Sequence, residues 1–146
     1  MLKKVSKLLT GDMLKVLCDM GHGDEIVIAD ANFPAEAVAR RLIRVPGIDA
    51  VSLCEAILDV FPLDAYSRYP AAVMDLTDSD KLKGMPVPSI WQEYDKVLND
   101  AAGRHIEIEK MERFAFYERA QKAFAVIQTG EEKQYGNLIL VKGVIL

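Results

Sequence analysis

Thr10-Gly-Asp-Met-Leu-Lys-Val-Leu-Cys-Asp-Met-Gly-His-Gly-Asp-Glu-Ile-Val-Ile-Ala-Asp30 decides the fold, because a helix and a buried strand follow one another within it. Thr10 suits a helix N-cap, its hydroxyl able to accept from a free backbone N–H one turn on. Met13, Leu14, Leu17 and Cys18 then recur at helical spacing, and Gly21 is a natural stop. Glu25 to Asp30 is a short apolar run ending in an acid, which reads as a strand buried on both faces.

Working outward, Asn32-Phe33-Pro34 forces a turn, since Pro34 disfavours helical geometry at Phe33. A short amphipathic piece, Ala35 to Ile43, leads to the breaker Pro46-Gly47. Val51 to Phe61 repeats its apolar residues at helical spacing and stops before Pro62. Ala71 to Leu76 reads as a strand, Thr77 to Pro88 as a polar loop, and Ile90 to Ala102 as a helix ending at Gly103. His105-Ile-Glu-Ile-Glu109 alternates with period two and predicts a strand with one wet face. A helix over Arg113 to Gln121 and strands over Ala123 to Gln128 and Asn137 to Lys142 close the chain. Helices interspersed with buried strands indicate an α/β sheet covered on both faces, in one domain over 1–146.

Composition narrows the function. With 51% apolar and 27% charged residues, the 146-residue chain is an ordinary globular protein that needs no metal or disulfide staple. Cys18 and Cys54 both sit in apolar patterns and read as reduced core residues. A net charge of −4 gives no general attraction to nucleic acid. The lysine-bearing start resembles a signal peptide only until Thr10-Gly11-Asp12 breaks its apolar stretch, and no run approaches the ~20 apolar residues of a membrane span. A soluble, cytoplasmic protein is the expectation.

Familiar catalytic signatures are missing. The chain has no phosphate-cradling glycine loop, no Gly-x-Ser-x-Gly elbow and, with two histidines and isolated cysteines, no zinc-type spacing. No metal and no cofactor are expected. His22, between Gly21 and Gly23, is either a surface-loop residue or an uncovered acid–base group able to exchange protons near neutrality. Asp30 stands at the C-terminal end of a buried strand, where α/β folds place ligands, though an Asx turn also explains it. Arg113 opposes the macrodipole at a helix start, which suggests a ligand role beside the alternative of a surface salt bridge with Glu112 or a nearby acid. Tyr135-Gly136-Asn137 is either a turn or a hydrogen-bonding edge for a polar ligand. Tyr117 and its phenylalanine neighbours read as packing, and His105 as structural or surface.

These motifs, in this order, resemble the L-fucose mutarotase family, the fucose branch of a group that also contains the D-ribose pyranases. The resemblance rests on Met20-Gly-His-Gly-Asp-Glu25, Ala29-Asp-Ala-Asn-Phe-Pro34, Arg113-Phe-Ala-Phe-Tyr-Glu-Arg-Ala120 and Tyr135-Gly-Asn-Leu-Ile-Leu-Val-Lys-Gly-Val144, with Thr129-Gly-Glu131. It is specific in the first and last thirds of the chain. It implies a three-layer α/β/α domain around a mostly buried mixed sheet and a ring-like homo-oligomer, often a decamer, with sites near subunit contacts. It further implies a monosaccharide substrate, with His22 as proton donor and Asp30, Arg113, Tyr135, Gly136 and Asn137 as sugar-contacting positions. The chain departs from the family where Asn32 stands in place of a frequent histidine, since an amide cannot carry a proton at neutral pH. The arginine at 113 favours the fucose branch over the ribose branch. The implied reaction is anomer interconversion, with a ribose-type pyranase and a non-catalytic sugar binder as the alternatives.

Overall fold

The computed structural model describes residues 1–146. In chain order the elements are α1 (Gly11–Asp19), β1 (Glu25–Ala29), α2 (Ala35–Val38), β2 (Leu42–Val45), α3 (Ala50–Leu58), β3 (Ala71–Met74), α4 (Asp78–Leu82), α5 (Ser89–Ala102), β4 (Ile108–Met111), α6 (Arg113–Lys122), β5 (Ala125–Thr129) and β6 (Leu138–Val141). Thr10 caps α1 as expected, its hydroxyl accepting from the Met13 N–H, a contact worth about 1 kcal/mol. Asp49 caps α3 in the same way. Gly103 ends α5 in the left-handed conformation that an L side chain resists.

The six strands form one mixed sheet in the order β2-β5-β1-β6-β3-β4. β1 runs parallel to β5, β2 to β5 and β3 to β4, whereas β6 lies antiparallel to both β1 and β3. Side chains alternate across the sheet. Ile26, Ile28, Ile127, Leu138 and Leu140 join the larger core with Leu17, Leu53, Ile57 and Leu98 of α1, α3 and α5. Val27, Ala29, Val126 and Ile139 join a second core with Phe33, Phe116 and Ala120 on the α2 and α6 side. The sheet is therefore the middle of three layers. Burial on both faces is why β1, β3 and β6 read as continuous apolar runs.

Four local expectations change. The amphipathic piece from Ala35 splits into α2 and an edge strand, β2, whose pairing with β5 lies some 80 positions away in sequence. The strand expected from His105 begins only at Ile108, because Ile108 is where its parallel partner β3 begins, at Ala71. Thr77 to Pro88 contains the short helix α4, capped by the Thr77 hydroxyl. Cys54 is buried, but Cys18 is exposed, one position beyond the Met13–Val16–Leu17 face that α1 buries. No helix is long and apolar enough to cross a membrane.

Candidate functional site

The C-terminal ends of β1, β3 and β4 lie along one edge of the sheet, and β6, running the other way, starts at that same edge. A cavity of about 540 Å³ opens there. The size is ordinary for a small-molecule site. β1 delivers Asp30, Asn32 and Phe33 to it, the segment after β3 delivers Thr77 and Asp80, α6 delivers Arg113 and Tyr117, and the approach to β6 delivers Tyr135 and Asn137.

Asp30 and Asn137 are both buried, at 6% and 5% exposure. The Asp30 backbone N–H donates to Asn137 Oδ1 at 2.8 Å, and Asn137 Nδ2 donates to Asp30 Oδ2 at 3.0 Å. The other carboxylate oxygen accepts from the Asn32 N–H at 3.0 Å, which is the Asx turn foreseen as one reading of Asp30. Burial pushes the Asp30 carboxyl above the usual range, against the opposing pull of the Asn32, Gly136 and Phe33 N–H groups and the Asn137 amide.

Tyr135 has φ +60°, a conformation rare for a bulky residue. It is held there from behind by α5. Trp91 Nε1 donates to the Tyr135 carbonyl at 3.1 Å, and the Tyr94 hydroxyl donates to the Gly136 carbonyl at 2.6 Å. A Cβ at Gly136 would meet Lys133 O at 3.1 Å and Ile90 Cδ1 at 3.3 Å, so only glycine fits without displacement. The Tyr135 hydroxyl donates to Asp80 and accepts from the Thr77 N–H at 3.2 Å.

Arg113 opens α6. Glu112, the residue expected to compete for it, directs its carboxylate to the Phe114 and Ala115 N–H groups as the helix N-cap. The Arg113 guanidinium instead lies 5.5 Å from the Phe114 ring centre and 5.6 Å from that of Tyr117, with Arg113 and Tyr117 both on the cavity wall.

His22 stands elsewhere. It precedes β1, whereas Asp30 follows it, so roughly 13 Å of strand separates their ends of the sheet. Gly23 takes φ +84° beside it, and the Gly23 N–H donates to the Lys142 carbonyl at 2.8 Å. Lys142 Nζ donates to the Leu17 and Met20 carbonyls at the end of α1, both at 2.6 Å, tying down the approach to the loop. His22 Nε2 lies 3.2 Å from Asp64 Oδ1, with the imidazole side chain 48% exposed. Asp64 is buried, and burial opposes its charge. The Ser67 side chain and N–H, the Tyr66 N–H and His22 together outweigh that and hold its carboxyl down at about 2. Asp64, held ionised, fixes the orientation of the ring through this contact.

Of the six residues singled out in the sequence, Asp30, Arg113, Tyr135 and Asn137 line one cavity and Gly136 lies just behind it. His22 is brought to Asp64 instead. His105 is exposed at the surface. Tyr117 packs against Phe33 and the second core, as read from the sequence, and also reaches the cavity, while Asp64 and Asp80 carried no local signal at all.

A polar cavity at the strand ends of a three-layer sheet, lined by a carboxylate, an amide, a guanidinium and a phenol, suits a small polar ligand that can both donate and accept hydrogen bonds. The chain belongs to the RbsD / FucU transport protein family, whose sequence pattern covers residues 3–145. It is 53% identical to the fucose mutarotase of Danio rerio over 99% of its own length and 94% of the relative's. The fold superposes on the fucose mutarotase from Streptococcus pneumoniae, solved in complex with L-fucose, at a TM-score of 0.90 and 38% identity, covering 99% of this chain and 100% of that one. RbsD from Bacillus subtilis, complexed with D-ribose, matches at a TM-score of 0.71 and 28% identity, covering both chains fully.

Proposed function

We propose that this protein is a mutarotase that interconverts the α and β anomers of a free reducing sugar, L-fucose first among them, in the cytoplasm. The observation that carries the reading is its full-length likeness to fucose mutarotases, closer than to the ribose-binding branch, together with a cavity built for hydroxyl groups. Two free thiols suit a reducing compartment.

Anomer exchange requires the anomeric hydroxyl to lose a proton while the ring oxygen gains one. The ring opens to an aldehyde, the C1–C2 bond rotates, and closure on the other face gives the other anomer. Positioned acid–base groups supply roughly 10²–10⁴-fold, and the reaction already proceeds unaided in water. In this reading Asp30 and Asn137 hold sugar hydroxyls, Arg113 orients them with its planar fork of donors, Gly136 keeps the edge close, and His22 protonates the ring oxygen.

One chain keeps His22 and the cavity at opposite ends of β1. That supports a ring-like homo-oligomer, up to a decamer, in which His22 of one copy meets the cavity of the next. The test is NMR saturation transfer between the α and β anomeric protons of L-fucose, with and without catalytic amounts of protein. Strong transfer is expected. Absence of transfer for fucose, ribose and galactose alike rules the reading out.

A further inference from the structure

The cavity is not polar throughout. Phe33, Met74 and the Tyr117 ring bring apolar surface to it, and no role given so far uses them. Their place follows from the sequence. Alternation along β3 sends Ala72 and Met74 to the α6 side of the sheet and Ala71 and Val73 to the other. The turn before Pro34 sets Phe33 edge-on to Phe116, with ring centres 6.2 Å apart, and 5.7 Å from the ring centre of Tyr117. Phe33 and Met74 belong to the second core, and Tyr117 packs on it. All three therefore meet the cavity where that core comes to the sheet edge.

The amount of apolar surface matters as much as its place. Phe33 and Met74 are only 4% and 5% exposed, so what they leave to the cavity is a small spot and not a platform for a whole sugar face. A phenylalanine ring offers no hydrogen-bonding group and a thioether only a weak acceptor, so a hydroxyl set against this spot would go without a good partner. The carboxylates, amide and guanidinium come from Asp30, Asp80, Asn137 and Arg113. One ligand substituent is thus required to be small and apolar while the others are hydroxyls. L-fucose has that make-up, with hydroxyls on C1 to C4 and a methyl group on C5.

We infer that Met74, with Phe33 and the Tyr117 ring beside it, determines specificity at C5, seating the methyl group of a 6-deoxyhexopyranose and disfavouring both a hydroxymethyl group and a bare hydrogen there. The inference deepens the mutarotase reading, on which it rests for the sugar class. A missing methylene-sized group in an apolar pocket costs roughly 10–200-fold in discrimination, and an added hydroxyl roughly 10²-fold. The cavity is open at its mouth, so the low end of both ranges, roughly tenfold, is expected.

The experiment uses three free sugars with one configuration at C2 to C4 that differ only at C5: L-fucose with a methyl group, D-arabinose with hydrogen and L-galactose with a hydroxymethyl group. Affinity by titration and anomer exchange by saturation transfer are measured on the same samples of wild type, Met74→Gln and Met74→Leu. Wild type should favour L-fucose over each of the others by roughly tenfold. Met74→Gln, similar in length but able to hydrogen-bond, should narrow the L-fucose to L-galactose ratio, and Met74→Leu should keep it. The ratio is read on one sample, so loss of folded protein lowers both sugars alike and leaves it unmoved. The wild-type series decides the matter even where Met74→Gln does not fold. Equal handling of the three sugars by wild type, or an unchanged ratio in folded Met74→Gln, overturns the inference. Binding in the expected order without exchange supports the apolar seat and overturns the mutarotase reading alone. Failure to bind any of the three overturns both.

Discussion

Asn137 grips Asp30 from two sides, accepting the Asp30 backbone N–H on Oδ1 and donating from Nδ2 to its carboxylate. One amide thus fixes both the backbone end of β1 and the acid that emerges from it. Asn137→Ala leaves a buried N–H unpartnered and removes a donor from a buried carboxylate. A destabilisation of about 1–3 kcal/mol is expected, measured by urea unfolding, together with weaker L-fucose binding. Unfolding at the wild-type midpoint with unchanged affinity would show that the grip is incidental.

The pH dependence of stability divides between two acids. The Asp64 carboxyl is lower in the folded protein, at about 2, than its ordinary value near 3.9 in an unfolded chain. Its contribution is present above that ordinary value and is lost as pH falls towards 2. Asp30, raised by burial, has the opposite sign, and its contribution diminishes as pH rises through its folded value. Asp64→Asn should therefore flatten the acid fall in urea midpoint between about pH 4 and 2, and slow anomer exchange by loosening His22. A wild-type acid limb in this variant would place the linkage elsewhere.

Gly130 is a packing glycine. A Cβ there would lie 2.0 Å from the Pro46 carbonyl oxygen, a backbone atom that cannot move aside cheaply. Gly130→Ala should cost about 1–3 kcal/mol or more, read as a lower melting temperature. Gly47→Ala, with open space around its Cβ, should stay within about 0.5 kcal/mol of wild type. Equal melting temperatures for the two variants would contradict this account.

A site shared between copies makes a genetic prediction. His22→Ala and Arg113→Ala should each be nearly inactive alone. Reassembled as a mixture, they should regain about a quarter of wild-type exchange, since random pairing joins an intact cavity to an intact His22 at one contact in four. No recovery after verified subunit exchange would count against a site built from two copies.

Sequence legibility follows the range of the interactions. Thr10 to Asp30 is readable because capping, helical spacing and an apolar run are local, and all three appear in the fold. Arg113 is legible as a local conflict with the macrodipole of α6. β2 escapes because its pairing partner β5 is distant in sequence, and β4 starts late because only the register with β3 decides its first residue. Asp64 and Asp80 stand 42 and 55 positions from His22 and Tyr135, so nothing near either acid betrays its partner.

β6 starts at Leu138, beside the cavity, and ends next to Lys142, which secures the His22 loop. Its four buried residues therefore hold the cavity and the His22 loop at opposite ends of one short strand. Under the proposed assembly, turnover becomes subject to mass action between subunits. Activity per subunit should collapse on dilution below the dissociation constant of the ring, and sugar bridging two copies should tighten that ring by the same free energy with which assembly favours sugar.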